Sequence, residues 1–197
     1  KKTPLKDYAN IRNNGLIAIN LDDGDELRLI RKSSGNDDII ISTSAGQAVR
    51  MSEADVRPMG RVARGVRGVR LRPNDSVVGM DVADDSRKLL VVSEQGYGKI
   101  TKVANFPTHK RGGIGIKAAV VTAKTGPIIA VKTIKEDDVE ALLISSKGQA
   151  IRVGLKDIPT LGRTTQGVRI MKLGEGDAVA SVGLMADQST GPEAALS

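Results

Sequence analysis

A step of about fifty residues governs this chain. The stretch "TSAGQAVR", ending at Arg50, returns as "SSKGQAIR", ending at Arg152, and "SEQGYGKI" ends between them at Ile100. Gly46, Gly96 and Gly148 are therefore 50 and 52 residues apart. Asp55, Asn105 and Asp157 keep the same step, as do Gly65, Gly115 and Gly167, and Asp75 and Asp177. Lys2, Asp7, Gly15 and Asp25 fit these columns as well, with two residues missing between Asp7 and Gly15, so three complete units follow a partial one. A unit of this length cannot bury its own apolar face alone. It must stack against its neighbours, which predicts an array rather than one closed core.

Each complete unit has the same internal order. An apolar run opens it ("DIIIS", "KLLVVS", "ALLIS"), and a glycine turn leads to a second run ("QAVRM", "GKITK", "QAIRV"). A loop of about a dozen residues follows. Then come a third run ("GVRLR", "GIKAAVV", "VRIMKL"), a polar turn and a fourth run ("SVVGMDV", "PIIAVKTI", "AVASVGL"). These runs are short, β-branched and bounded by Gly, Pro, Asn and Asp, which is strand chemistry. No sustained helical period appears; only "SEADV" and "LKDI" suit a helical turn. The expectation is an all-β, propeller-like array of four-stranded blades. One domain spans 1–186, in units of about 1–37, 38–87, 88–138 and 139–186, with a flexible tail at 187–197. The WD dipeptide and the tryptophans of WD40 blades are missing.

Charge is segregated along the repeat. The net charge is +7, yet six arginines fall between Arg57 and Arg72 with no acid among them, and Gln95 to Lys135 is equally free of acids. The acids cluster elsewhere: Asp22 to Glu26, Asp84 and Asp85, Glu136 to Glu140. Such separation points to a face that binds a polyanion. The basic residues fall in columns: Arg61, Arg111 and Arg163 in one, Arg67, Lys117 and Arg169 in the next, and Arg70 and Lys172 in a third that Val120 interrupts. Arg57, Arg64, Lys99, Lys102 and Lys110 add to the same region. Stacked units turn each column into a row of cations along one rim. Gly112, Gly113 and Gly115 beside them allow close approach of a phosphate to backbone N–H groups.

Duplex DNA, a regular line of negative charge, matches such a row through phosphate contacts that carry no sequence information. Single strands are stacked on aromatic side chains. Here Tyr8, Tyr97 and Phe106 share no column and there is no Trp, so duplex is the expected ligand and those rings are expected to pack in the core.

At these residues the chain resembles a known family. "RPMGRVARGVRGVRLRPND", "LGRTTQGVRIMKLGEGD" and "DDIIISTSAGQAVRMSEADVRPMGR" are similar to the C-terminal domain of the DNA gyrase A subunit, and the resemblance runs from about Lys1 to Ala186. It implies a β-pinwheel, a disc whose blades exchange strands and which wraps duplex DNA around a basic perimeter. It also implies a parent that introduces negative supercoils with ATP and Mg²⁺ held in other domains, as an A2B2 complex of gyrase A and gyrase B subunits in the bacterial cytoplasm at the nucleoid. The family's box has the consensus Q-R-R-G-G-K-G. "HKRGGIG", His109 to Gly115, is a degenerate copy: Arg111, Gly112, Gly113 and Gly115 match, Lys110 replaces Arg, His109 replaces Gln and Ile114 replaces Lys. The A subunit of topoisomerase IV, with degenerate boxes and a smaller pinwheel, is the near alternative. A basic propeller that binds an acidic protein is another.

Catalysis has no support in the residues. His109 is the sole histidine and acids are absent for dozens of residues after it, so neither a triad nor a zinc site is expected. Tyr8 and Tyr97 have no nucleophile setting. "DDGDE" stands in the turn column that reads "PND" and "EGD" elsewhere, and is expected to be a hairpin turn. "RGGIGIK" lacks the Gly-Lys-Ser/Thr of a phosphate loop. Cysteine is absent, which removes disulfides and thiolate metal sites and suits a reducing compartment. No apolar run reaches the roughly 18–20 residues of a membrane span, so no cofactor, metal or membrane is expected for this chain.

Overall fold

The computed structural model describes residues 1–11 and 13–186, so the tail expected at 187–197 lies outside the described residues. The first complete unit supplies β1 (Asp38–Thr43), β2 (Gln47–Ser52) and β3 (Val77–Ala83). The second supplies β4 (Lys88–Ser93), β5 (Tyr97–Lys102), β6 (Ile116–Lys117) and β7 (Ile128–Ile134). The third supplies β8 (Asp138–Ser145), β9 (Ala150–Gly154), β10 (Val168–Arg169) and β11 (Val179–Ala186). The regular helix is confined to single 3-10 turns, among them Glu53–Asp55, Val103–Asn105 and Leu155–Asp157 after the second strand of each unit.

The strands form three antiparallel sheets, ordered β3-β1-β2-β6, β10-β5-β4-β7 and β11-β8-β9. The all-β array is therefore as expected, and so is the exchange of strands between blades. A sequence unit is not itself a blade, however. Its third strand leaves to complete the sheet of the unit before it: Ala48 faces Ile116 and Gln47 faces Lys117, and Gly98 faces Val168 and Tyr97 faces Arg169. The third sheet carries three strands among the described residues.

The expected third run "GVRLR" forms no strand. The unit is joined to the N-terminal segment by a bridge between Lys2 and Pro58, equivalent to Arg50 with Thr108 and Ile100 with Thr160.

Glycine makes the crossing possible. Gly115 and Gly167 have φ of +84° and +83°, a region that L side chains avoid. A methyl group at Gly115 would collide with the Ala48 carbonyl oxygen, and one at Gly167 would lie 2.5 Å from that of Gly98.

Burial follows the stacking. In β4 the residues Leu89 to Ser93 are all buried, because the second sheet is covered on both faces. Leu89 and Val91 join Ile40, Ala48, Val103 and Phe106 in one core cluster, while Leu90 and Val92 join Ile100, Leu143, Met171 and Val182 in the other. Alternate residues of one strand thus serve two interfaces. Tyr97 and Phe106 are 6% and 0% exposed, so they pack in the interior as expected, whereas Tyr8 is only half-buried, its hydroxyl donating to Ala18 O.

Turn carboxylates lock the hairpins. Asp75 accepts from Ala45 N–H and the Ser44 hydroxyl, and Asp177 from Lys147 N–H, which accounts for that acidic column. Asp25 only caps its own turn, bonding the N–H of Glu26.

Candidate nucleic-acid interface

In each unit the loop after the second strand first runs beside the end of the preceding unit's second strand. Met59, His109 and Leu161 donate their N–H groups to Lys2, Arg50 and Ile100 carbonyls at 2.8 Å each. Successive loops then meet. Gly112 N–H donates to Gly68 O at 2.7 Å, Arg70 N–H to Gly113 O at 2.8 Å, and Val120 N–H to Thr165 O at 3.1 Å. The basic segments of neighbouring units are consequently one continuous hydrogen-bonded edge.

Along that edge Arg57, Arg64, Arg67, Arg70, Lys102, Lys110, Arg111, Lys117, Arg169 and Lys172 are exposed, and Arg61 and Arg163 are half-buried. Among the described residues, pairing with acids separates the rim arginines from the arginines elsewhere. Arg28, Arg31, Arg50, Arg87 and Arg152, which lie outside these segments, each hold an Asp or Glu. Within the segments Arg64 alone does so, 2.6 Å from Asp22. Among the described residues the other rim cations have no acidic partner. Arg72, exposed at the end of the same segment, belongs with them although its column is not occupied elsewhere. Lys124, outside the three columns, lies 5.4 Å from the Tyr97 ring, beside Arg169 at 5.5 Å. The Arg169 hydrogen bond to the Tyr97 hydroxyl, 3.0 Å, holds that phenol below its ordinary value, with further help from the two positive charges.

Two sequence expectations need correction. Lys99 is 1% exposed and does not face a ligand. Its ammonium donates to the carbonyls of Gly162, Arg163 and Thr165 at 2.9, 2.7 and 2.9 Å. Strand alternation could not reveal this, because β5 is buried on both faces. Burial pulls the Lys99 pKa down to about 8, with the nearby Arg163 charge adding to the shift. Gly112 does not offer a free N–H, since Gly68 O takes it. Gly115 is pressed against Ala48, so both glycines serve the fold; Gly113 and Ile114 are exposed, as is His109.

Sequence reasoning also missed Glu53. It is 2% exposed and accepts from Ser33 Oγ, Gly35 N–H and Asp37 N–H, each at 2.8 Å, with Lys2 Nζ at 3.7 Å. It anchors the start of the first blade. No group of His, Cys, Asp or Glu among the described residues has the arrangement to hold a metal ion, and no helix among them is long and apolar enough to cross a membrane.

Comparison with known proteins places this geometry. The sequence model of the family described as DNA gyrase C-terminal domain, beta-propeller, matches residues 1–33, 37–84, 87–138 and 140–184. The DNA gyrase A subunit of Staphylococcus epidermidis is 43% identical over 184 residues, 92% of this chain and 20% of that protein. Its counterpart from Aminobacterium colombiense is 42% identical over 188 residues, 95% of this chain and 23% of that protein. The chain thus spans about a fifth of the length of these relatives. A solved DNA gyrase A C-terminal domain superposes with a TM-score of 0.75 at 28% identity, covering 87% of this chain and 58% of that one. The C-terminal domain of DNA topoisomerase IV superposes with a TM-score of 0.86 at 24% identity over 93% of this chain and 58% of that one, a likeness of fold.

Proposed function

Because the chain belongs to the DNA gyrase C-terminal domain family, we propose that it binds duplex DNA without reading sequence and bends it along the cationic rim. The carrying observation is the set of rim cations without acidic partners among the described residues, where the arginines outside the rim segments are each paired with an acid. Unpaired positive charge in a continuous row is electrostatically costly in the free protein. A polyphosphate ligand removes that cost and releases counterions as it binds. Arg67, Lys117 and Arg169, with Arg70, Lys172, Arg57 and Lys110, are the phosphate contacts of this reading.

Following a curved edge requires a bent duplex. Bending a site of 20–30 base pairs costs on the order of 1–6 kcal/mol, which several phosphate contacts offset. Within a longer gyrase A protein, paired with gyrase B in an A2B2 enzyme of the bacterial cytoplasm, such a bend would present a second DNA segment to strand passage and favour negative supercoiling. ATP and Mg²⁺ would act in other domains; this chain would perform no bond chemistry.

The relatives at 42–43% identity favour a gyrase parent over topoisomerase IV. Duplex binding by the purified chain, measured at several salt concentrations and on unrelated sequences, tests the reading. Affinity that falls steeply with salt and ignores sequence is expected. No duplex binding, salt-independent binding, or an acidic protein partner that duplex cannot displace would overturn it.

A further inference from the structure

Arg61, Arg111 and Arg163 differ from the other rim cations in one repeated bond. Arg61 Nη1 donates to Ile17 O at 3.0 Å, Arg111 Nη1 to Arg67 O at 3.1 Å, and Arg163 Nη1 to Lys117 O at 2.7 Å. Ile17, Arg67 and Lys117 occupy one column, two residues after Gly15, Gly65 and Gly115. Each arginine therefore reaches back to the third-strand segment of the unit before it. In two of the three bonds the acceptor carbonyl belongs to the very residue whose side chain is a proposed phosphate contact.

We propose that this arginine column positions the DNA path: each guanidinium fixes the spacing between one unit's rim segment and the next, so that the bend imposed on the duplex depends on its fork geometry beyond its charge. The inference rests on the duplex-binding reading. It extends it by dividing the rim into cations that hold phosphate and cations that hold the rim.

The three junctions are not equally secured. Lys1 Nζ donates to Gly60 O at 3.1 Å and also to Arg61 O, and Lys99 Nζ makes the equivalent bonds to Gly162 O and Arg163 O. A lysine from the preceding unit thus latches the loop that bears Arg61, and another the loop that bears Arg163. In the middle junction Val49 stands where the lysine would be, 1% exposed in the core. Arg111 supplies the missing hold itself, with Nε donating to Asp55 O at 3.1 Å while Nη1 holds Arg67 O. The planar fork can span two carbonyls of different segments; a lysine ammonium carries the same charge on one atom and cannot reproduce that geometry. In the degenerate box "HKRGGIG" the arginine thus takes over the side-chain hold that a lysine provides at the other two junctions, beside the backbone bonds from Gly112 N–H to Gly68 O and from Arg70 N–H to Gly113 O.

The experiment compares Arg111→Lys and Arg163→Lys with the unaltered chain. Three readouts are taken: amide hydrogen exchange without DNA, duplex affinity, and bend angle from energy transfer between dyes at the two ends of a short duplex. For Arg111→Lys, exchange at Thr108 to Gly115 should rise about fivefold for each hydrogen bond lost. Affinity should fall less than about threefold because the charge is kept, while the bend angle clearly decreases. Arg163→Lys, backed by Lys99, should change both loop exchange and bend less than Arg111→Lys does. Unchanged exchange in Arg111→Lys overturns the inference. So does faster exchange with an unchanged bend, and so does a loss of bend no greater than the loss of affinity explains. Failure of the underlying reading is seen separately, in the unaltered chain, as absence of duplex binding.

Discussion

The ammonium of Lys99 lies 2.7 Å from the carbonyl oxygen of Arg163, sixty-four residues further along the chain. A lysine of the second unit thereby holds the rim loop of the third. A charged group is taken out of water, and its cost is met by three carbonyls of that loop; Gly162 O also accepts from the Thr165 hydroxyl and Thr165 O from Val120 N–H, whereas Arg163 O has Lys99 as its donor.

Replacing Lys99 by Met fills the space but leaves the Arg163 carbonyl unpaired and removes one of the two donors at Gly162 O and Thr165 O. A loss of roughly 1–3 kcal/mol in unfolding free energy is expected, measured by denaturant titration. The dependence of duplex affinity on salt should keep its slope, since the ammonium reaches no phosphate. The pH dependence has a definite sign. The folded chain releases the Lys99 proton near pH 8, pulled down from 10.5 by burial, whereas the unfolded chain keeps it to its ordinary value. Between these limits the unfolded state binds more protons, so this group's contribution to stability rises with pH. The stability difference between the unaltered chain and Lys99→Met should therefore be larger at pH 9.5 than at pH 7.5. A difference that shrinks over that interval would contradict the assignment.

Strand exchange between blades makes a prediction at its two glycines. Gly115→Ala and Gly167→Ala each impose a left-handed backbone on a residue with a side chain and drive that side chain into a carbonyl of the neighbouring unit. Backbone strain alone costs on the order of 1–3 kcal/mol, and the collision adds to it. Gly162→Ala is the control, because Gly162 has open space and no positive φ. Thermal unfolding should show a marked fall in Tm for the first two variants and little change for the third.

Acid should loosen the first blade through Glu53. Burial opposes its charge, but the Asp37 N–H, the Ser33 hydroxyl and the Gly35 N–H bond its carboxylate, and Lys2 adds attraction, so its pKa lies below 4.5. The stabilisation is complete above the unfolded-state value and is lost as pH falls through the folded-state value. Glu53→Gln should be less stable than the unaltered chain at pH 7 and lose less stability on acidification from pH 5 to pH 3, read by chemical denaturation at each pH.

Much of this architecture was legible in the residues because one period controlled it. The glycine columns marked the turns and crossings, and the β-branched runs marked strands β1 and β4 at their observed starts and β8 three residues after its start. The exchange of third strands was available only through the family resemblance, since periodicity says that a strand exists and not which sheet it joins. Lys99 was misread for a related reason. Alternation assigns one face of a strand to water, but the middle blade has neighbours on both sides, and its lysine points into one of them. Glu53 gave no signal, because a buried carboxylate is recognised by the backbone donors around it, and these come from Gly35 and Asp37, well before it in the chain. Among the rim cations, sequence grouped Arg61, Arg111 and Arg163, which tie one unit to the next, with cations that make no such tie, because both carry positive charge at the same spacing.

The division between paired and unpaired arginines gives the last prediction. Arg152 is exposed on the third blade, but its guanidinium already holds Glu140. Arg67 and Lys117 are exposed on the rim and hold no acid among the described residues. If the rim binds phosphate, each unpaired cation that contacts DNA contributes about 0.9 to the slope of log affinity against log salt. Arg67→Gln and Lys117→Gln should each lower that slope by about 0.9, and the double variant by about twice as much, on any duplex sequence. Arg152→Gln removes the same formal charge and should leave the slope nearly intact, because the lost charge was already neutralised by Glu140. Net charge falls equally in the three single variants, so general attraction between a basic protein and DNA predicts equal effects. Equal slopes for Arg67→Gln and Arg152→Gln would mean that overall charge, and not a placed row of cations, holds the duplex.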